Sequence, residues 1–351
     1  MRLLVALLFW FTAIGGYAAS ETPATQQIKA AFLAGDLKGL HGVYAKQDGQ
    51  VIAEAYFAGH DQIWGAPTGA RAHGPDRLHD LRSISKNVVG LLYGIALDEG
   101  IVQPVDASLF AQFPEYSDLS IQQGATDIRI KHALTMTLGL EWDETIPYTD
   151  PRNSEIAMEM APDRYRYILS QPVISQPGEK WVYSGGAAAL VGKLIEKGAG
   201  IPINEYAEQR LFTPLGITKF DWVGGADKAP SAASGLRLTL VDMVKLGELI
   251  VADGRWGEQQ IVSADWIDEM LTPQAQPGGA LGYGYFWWVA PEGGSSNWAA
   301  GFGNGGQRLS MNRQDKVVVG VFAGNYNWLK DWEMPLKIVT DFIAPAISQS
   351  K

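Results

Sequence analysis

Strand-forming runs stand at both ends of this chain, and helical periodicity fills its middle. Near the N-terminus, GVYAKQDGQVIAEAYF sets two β-rich runs on either side of Asp48-Gly49, a strong hairpin signal. Far downstream, LGYGYFWWVA reads as a strand and RLSMNRQDKVVVGVFAGNY as a second hairpin. Between them, DIRIKHALTMTLG, AALVGKLIEKGAG and TLVDMVKLGELIVADG carry apolar residues at i, i+3 or i+4 spacing and end in glycine. TPATQQIKAAFLAG predicts a short amphipathic helix with Ile28, Ala31 and Phe32 on one face, and a closing helix runs from about Met334 to Ile347. A polar, glycine-containing loop leads from the first hairpin to Asp80. This order predicts an α+β fold: an antiparallel sheet built from both chain ends, flanked by N- and C-terminal helices, with a mainly helical region inserted. In residue terms, 20–86 and 256–351 form the α/β domain and 87–255 the helical region, with the active site at their junction.

Bulk properties narrow the function. Of 351 residues 46% are hydrophobic and 12 are tryptophan, enough for a sizeable core and an aromatic-lined cleft. The net charge of −10, with no lysine- or arginine-rich block, argues against binding nucleic acid or an anionic membrane surface. The absence of cysteine excludes a lipoprotein anchor, disulfides and thiolate metal sites. The first residues, MRLLVALLFWFTAIGGYAAS, place one arginine before an apolar core (Leu3 to Ile14) too short to span a bilayer, followed by small residues. That order reads as a signal peptide over 1–19 and predicts an exported protein, periplasmic or secreted, with no membrane anchor.

Several chemistries lack support. The five histidines all lie in the first 40% or so of the chain, no serine sits in G-x-S-x-G, and no H-E-x-x-H pair exists. No metal ligand set is visible, and no cofactor is expected. GFGNGG (Gly301 to Gly306) formally matches the dinucleotide fingerprint, but the residues that follow read as a strand, where a helix N-terminus is needed to hold a pyrophosphate.

The stretch DLRSISKNVVGLLYGIALDEG carries the positive signal. Ser83 and Lys86 form S-x-x-K just where Val88, Leu91, Leu92 and Ile95 begin an apolar helical stripe. Residues i and i+3 share a helix face, which sets the Lys86 amine beside the Ser83 hydroxyl, a nucleophile with an adjacent base. Burial and the positive end of a helix both lower a lysine pKa toward the neutral range. An ordinary helix start, with Ser83 as N-cap and Lys86 in solvent, fits the same residues. In PGEKWVYSGGAAALVGKLIE, Tyr183 precedes another apolar helix; a packed aromatic fits it as well as a residue that passes a proton to a leaving group. In GNGGQRL, glycines open a strand along whose edge a substrate fits, and the Gln307 N–H joins that of Ser83 as an oxyanion hole.

S-x-x-K, Y-S-x and a glycine-rich strand opening, in this order, resemble the serine β-lactamase and penicillin-binding-protein superfamily over most of the chain beyond the leader. Within it the chain is most similar to the class C β-lactamase-like branch, which includes esterases, D-amino-acid peptidases and 6-aminohexanoate-dimer hydrolases. The resemblance implies Ser83 as acylated nucleophile, Lys86 and Tyr183 as acid–base pair, and the Ser83 and Gln307 amides as oxyanion hole. Two positions depart from the family pattern: Gly185 stands where Y-x-N has asparagine, and Asn304-Gly305-Gly306 where the third motif opens with a cation. The neutral Asn304 points away from penicillin and toward an ester or amide substrate, small or peptide-like. Trp142 and Tyr148, from the segment EWDETIPYTDPRNSEI, are candidate substrate contacts, with Asp143 or Glu144 facing a cationic group. A D,D-peptidase or β-lactamase, and a non-catalytic peptide- or muropeptide-binding protein of the same fold, are the alternatives.

Overall fold

The computed structural model describes residues 21–291 and 297–348, so the signal-peptide expectation lies outside the described residues. Helix α1 (Pro23–Leu33) leads into β1 (Leu40–Gln47) and β2 (Gln50–Tyr56), joined at Asp48 and Gly49, both with positive φ, as a tight hairpin requires. The polar stretch that follows is a second hairpin, β3 (Ala58–Ile63) and β4 (Ala66–Ala72), rather than the loop its composition suggests. A short strand β5 (His79–Asp80) then feeds helix α2 (Ile84–Asp98).

The middle of the chain supplies α3 (Ile130–Leu134), α4 (Ser154–Met160), α5 (Arg164–Leu169), α6 (Gly185–Ala199) and α7 (Ile203–Ala207). Strands β6 (Asp221–Trp222) and β7 (Leu236–Leu238) join β5 in a three-stranded sheet. Helix α8 (Leu240–Val251), a ribbon of β8 (Arg255–Trp256) and β9 (Gln259–Gln260), and α9 (Ala264–Leu271) follow. The C-terminal part gives β10 (Gly282–Tyr283), β11 (Trp288–Val289), β12 (Trp298–Gly303), β13 (Gln307–Asn312) and β14 (Val317–Ala323), then α10 (Glu333–Lys337), which continues helically through Ile343.

Both chain ends meet in one antiparallel sheet of order β10-β11-β12-β13-β14-β1-β2, as the sequence order predicts. β14 shows why it is central. Val317, Val319, Val321 and Ala323 face the core shared with α1 and the C-terminal helix, while Val318 and Phe322 face the core shared with the helical region. A strand buried on both faces reads as an unbroken apolar run, and VVVGVFA is one.

Two segments differ from their sequence reading. LGYGYFWWVA is not one strand but two, β10 and β11, reversing at Gly284–Trp287, where the Gly284 N–H donates to the Trp287 carbonyl at 2.8 Å. Helix α8, within the stretch read as the helical region, packs on the sheet: Val244, Leu240 and Met243 lie over Gly320 of β14, and Val318 lies against Gly247. Gly320 is needed for that approach, since a Cβ there would fall 2.7 Å from Val244 Cγ2. Gly320→Ala should therefore lower unfolding free energy by about 1–3 kcal/mol through overpacking. Urea titration checks this; an unchanged midpoint would mean that α8 does not press on the sheet as described.

Candidate active site

Ser83 stands at the N-cap of α2, and its position is set by the strand before it. Asp80 of β5 accepts from the Trp64 N–H (2.6 Å) and Arg237 Nε (2.8 Å), and lies 3.2 Å from Arg82 Nε. The Leu81 N–H donates to the Leu236 carbonyl at 2.9 Å, tying the approach to β7. Arg82 then takes φ 52°, a left-handed conformation costly for a side chain of this size, of the kind that surroundings over-determine at functional sites. The Ser83 side chain makes no capping bond; Ser85 instead donates to the Arg82 carbonyl (2.7 Å) and accepts from the Leu236 N–H (3.0 Å). The plain reading of Ser83 as a helix cap is thereby set aside.

Lys86 is 1% exposed, so it is not the solvent-facing lysine of an ordinary helix start. Its Nζ donates to Ser83 Oγ (3.2 Å), Glu155 Oε2 (3.3 Å) and the Ala233 carbonyl (2.8 Å). Three acceptors around one nitrogen match the three N–H groups of an ammonium. Burial pulls the Lys86 pKa down, as the sequence suggests, but Glu155, Tyr183 and Glu144 outweigh it and hold the amine above its ordinary lysine value. The expectation of a neutral lysine made basic by desolvation is corrected: a carboxylate has been placed beside it.

That carboxylate also explains Gly185. A Cβ at 185 would fall 2.5 Å from Glu155 Oε2, so Glu155 occupies the space into which a longer side chain at this position would reach. Glu155 is itself 3% exposed and accepts from Ser234 Oγ at 2.8 Å. Asn153 fixes the start of α4, accepting from the Glu155 and Ile156 amides (3.0 and 3.3 Å), and so aims Glu155 at Lys86.

Tyr183, on the loop entering α6, closes the group. Lys86 Nζ lies 5.0 Å from its ring centroid, and both Lys86 and Ser83 act on its phenol electrostatically. Burial, opposed by Lys86, leaves its pKa above the ordinary tyrosine value, so it is a neutral donor at pH 7. Ser83, Lys86 and Tyr183 are thus brought together.

The expected substrate contacts divide. Tyr148 and Asn304 line a cleft of about 330 Å³ together with Ser83, Ile156, Met160 and Trp64. Trp142 does not: it is buried under α6, against Gly186, and its Nε1 donates to Glu144 Oε1 at 2.6 Å. Glu144 faces inward rather than toward a cationic substrate, accepting also from Tyr148 (2.8 Å) and the Gly185 N–H, while Asp143 binds Thr145 at the surface. Gly305 and Gly306 lie in the β12–β13 turn, and Gln307 opens β13 opposite Gly303. The Gly305 N–H donates to Asp331 (2.7 Å), a Cβ on Gly306 would meet the Asp331 carbonyl, and the Gln307 amide group bonds to Ala323 of β14 (2.7 and 3.0 Å). Gly303, at the end of β12, meets the loop before Ser83: a Cβ there would fall 2.3 Å from the Leu81 carbonyl oxygen.

Burial and neighbouring Glu155 push Glu144 up to about 7 despite Lys86. Its folded pKa exceeds the unfolded carboxylate value of about 4.3, so ionising it costs stability, and that cost appears as pH rises through about 7. Glu144→Gln should raise Tm relative to the parent at pH 8 and leave it nearly unchanged at pH 5. Calorimetry at both values checks this, and an equal shift at both would contradict the assignment.

A family model described as Beta-lactamase matches residues 33–333. The chain is 23% identical over 296 residues to the 6-aminohexanoate-dimer hydrolase of Paenarthrobacter ureafaciens, covering 77% of this chain and 69% of that one. It is 25% identical over 226 residues to the lovastatin esterase of Penicillium rubens, covering 56% and 53% respectively. Against the ML-236A carboxylate methylbutanoyltransferase of Penicillium citrinum it spans 36% of the relative's length. Among solved structures, EstCE1, a hydrolase with promiscuous acyltransferase activity, superposes with TM-score 0.70 at 16% identity over 92% of this chain and 96% of that one, a likeness of fold. With the family model covering nearly all of the described sheet and the site, the chain belongs to the beta-lactamase family and has the β-lactamase/transpeptidase fold.

Proposed function

We propose that this protein is an exported serine hydrolase that cleaves an ester or amide bond through an acyl-enzyme at Ser83. The observation that carries the proposal is the uncapped Ser83 hydroxyl, 3.2 Å from a buried Lys86 that is itself 3.3 Å from Glu155. The leader-like first residues support export. The esterase and amide-hydrolase relatives support the bond class.

The proton path follows the geometry. Lys86, already an ammonium, takes the Ser83 proton only as it passes one of its own to Glu155. Ser83 Oγ attacks the substrate carbonyl, and the oxyanion is held by the Ser83 N–H and a second backbone N–H. We assign that second donor to the end of β12, where Gly303 meets the loop before Ser83, in place of Gln307, its partner on β13. Removing one such donor typically costs about 3–4 kcal/mol of transition-state stabilisation. Tyr183 protonates the leaving group and recovers its proton from Lys86, which recovers one from Glu155. Water then repeats the sequence on the ester of Ser83 and releases the acid.

The cleft wall of Ile156, Met160, Trp64 and Tyr148 suits an apolar acyl group. Asn304, which donates to Asn327 Oδ1 at 3.0 Å, offers no charge to a substrate carboxylate. On a short-chain p-nitrophenyl ester, Ser83→Ala should abolish turnover, and Lys86→Ala should lower kcat by about 10²–10⁴-fold. Steady-state hydrolysis checks both. Turnover that survives in Ser83→Ala, or a Lys86→Ala variant within a few-fold of the parent, would overturn the assignment.

A further inference from the structure

Away from the cleft, three of the five histidines converge. His41 of β1, His73 after β4 and His79 of β5 each offer a ring nitrogen, all within 4.8 Å of one another. His41 and His79 are each 1% exposed. The His41 and His73 rings stack at 4.0 Å, and Asp61 of β3 puts Oδ1 at 3.6 Å from His79 Nε2. A cavity of about 520 Å³, lined by Asp61 and His73, gives access from solvent.

Hydrogen-bond accounting leaves one nitrogen of this cluster without a partner among the described residues. A neutral imidazole has one N–H and one lone pair. His79 Nδ1 faces the Asp80 carbonyl at 3.1 Å and must be its donor, which leaves Nε2 a lone pair. His41 Nδ1 lies 2.9 Å from that lone pair and, in the metal-free protein, donates to it in one tautomer; with the His41 proton on Nε2 instead, a second lone pair would face the same point. His73 Nε2 is buried with no hydrogen-bond partner among the described residues. Three imidazole nitrogens and a carboxylate thus converge, with the buried His73 Nε2 unpartnered and a single proton shared between His41 and His79. A ring N–H held by a backbone carbonyl is the usual way in which a ligating histidine is oriented.

We propose that His41, His73 and His79 bind a divalent transition-metal ion, zinc being the best match to neutral imidazoles, with Asp61 as the neighbouring carboxylate. Tetrahedral zinc with Zn–N of about 2.0–2.1 Å sets its ligands about 3.3 Å apart, so the His73 ring, stacked on His41 with 13° between the planes, turns out of that stack to bring its lone pair to the ion. The ion would tie β1 and the β3–β4 hairpin to β5, the strand that leads directly to Ser83. Asp61 also accepts from Tyr326 (3.0 Å), whose ring carries Arg82 at 5.0 Å, so the metal site abuts the strained residue before the nucleophile. The site is structural in kind and takes no part in the proton path at Ser83.

The test is metal content of tag-free protein, incubated with Zn2+ and dialysed against metal-free buffer. About one equivalent should remain by plasma mass spectrometry. His73→Ala should lose it while keeping its circular dichroism spectrum and Ser83-dependent hydrolysis, and Asp61→Asn should weaken it by about 10–100-fold. Should His73→Ala not fold, the Co2+ form of the parent decides: visible d–d bands of an imidazole-ligated ion support the site. No retained Zn2+ and no Co2+ bands, or equal retention in a folded His73→Ala, would overturn it and leave a shared proton between His41 and His79. Neither result bears on Ser83, so this proposal and the hydrolase reading stand or fall separately.

Discussion

The cleft is organised around one buried ammonium. Lys86 has left water entirely, and three acceptors replace its hydration: Ser83, Glu155 and the Ala233 carbonyl. Removing one partner of a buried pair is costly, about 3–5 kcal/mol, because the other charge is then stranded. The surroundings bear this out in their detail. Ser234 and the start of α4 fix Glu155, and residue 185 has no side chain because Glu155 fills that space. The Gly185 N–H is in turn held by Glu144. What looks in the sequence like a lost asparagine is the consequence of a carboxylate arriving from α4.

Around that pair, the fold supplies rigidity from both ends of the chain. β1 lies between β14 and β2, so the N-terminal hairpin completes a sheet begun by the C-terminal strands. Asp80 gathers Trp64, Arg82 and Arg237 just before the nucleophile, which holds Arg82 in its left-handed conformation and delivers Ser83 uncapped to the start of α2. β12 comes alongside through Gly303, where only a glycine admits the Leu81 carbonyl so closely. Ser83, Tyr183 and the strand edge therefore come from three distant segments whose mutual position is set by packed secondary structure.

Much of this was legible in the residues. S-x-x-K ahead of an apolar stripe set Ser83 beside Lys86, whereas Tyr183 alone read as readily as a packed aromatic and stood out only through the order of the three motifs. The hairpin reading around Val317–Ala323 and the Asp48-Gly49 turn placed the sheet. Other parts were not legible, for physical reasons. Glu155 lies 69 residues from Lys86, and nothing in its local pattern says that its carboxylate points inward. Without it, burial alone predicts a neutral lysine. The β3–β4 hairpin exposes most of β4, so it lacks the alternation that marks a half-buried strand. The aromatic run of LGYGYFWWVA hides its turn, since Tyr285, Phe286 and Trp287 are as buried as the strands they join. The three histidines at the proposed metal site come from separate elements, with no ligand spacing to reveal them.

The claim on which the account rests is that Lys86 and Glu155 act as one proton-transfer unit. A double-mutant cycle of Lys86→Ala and Glu155→Gln, read in the pre-steady-state acylation rate of Ser83, tests it most directly. The account predicts that each single variant is slow and that the double variant is no slower than Lys86→Ala alone. Penalties that multiply, each independent of the other, would contradict it.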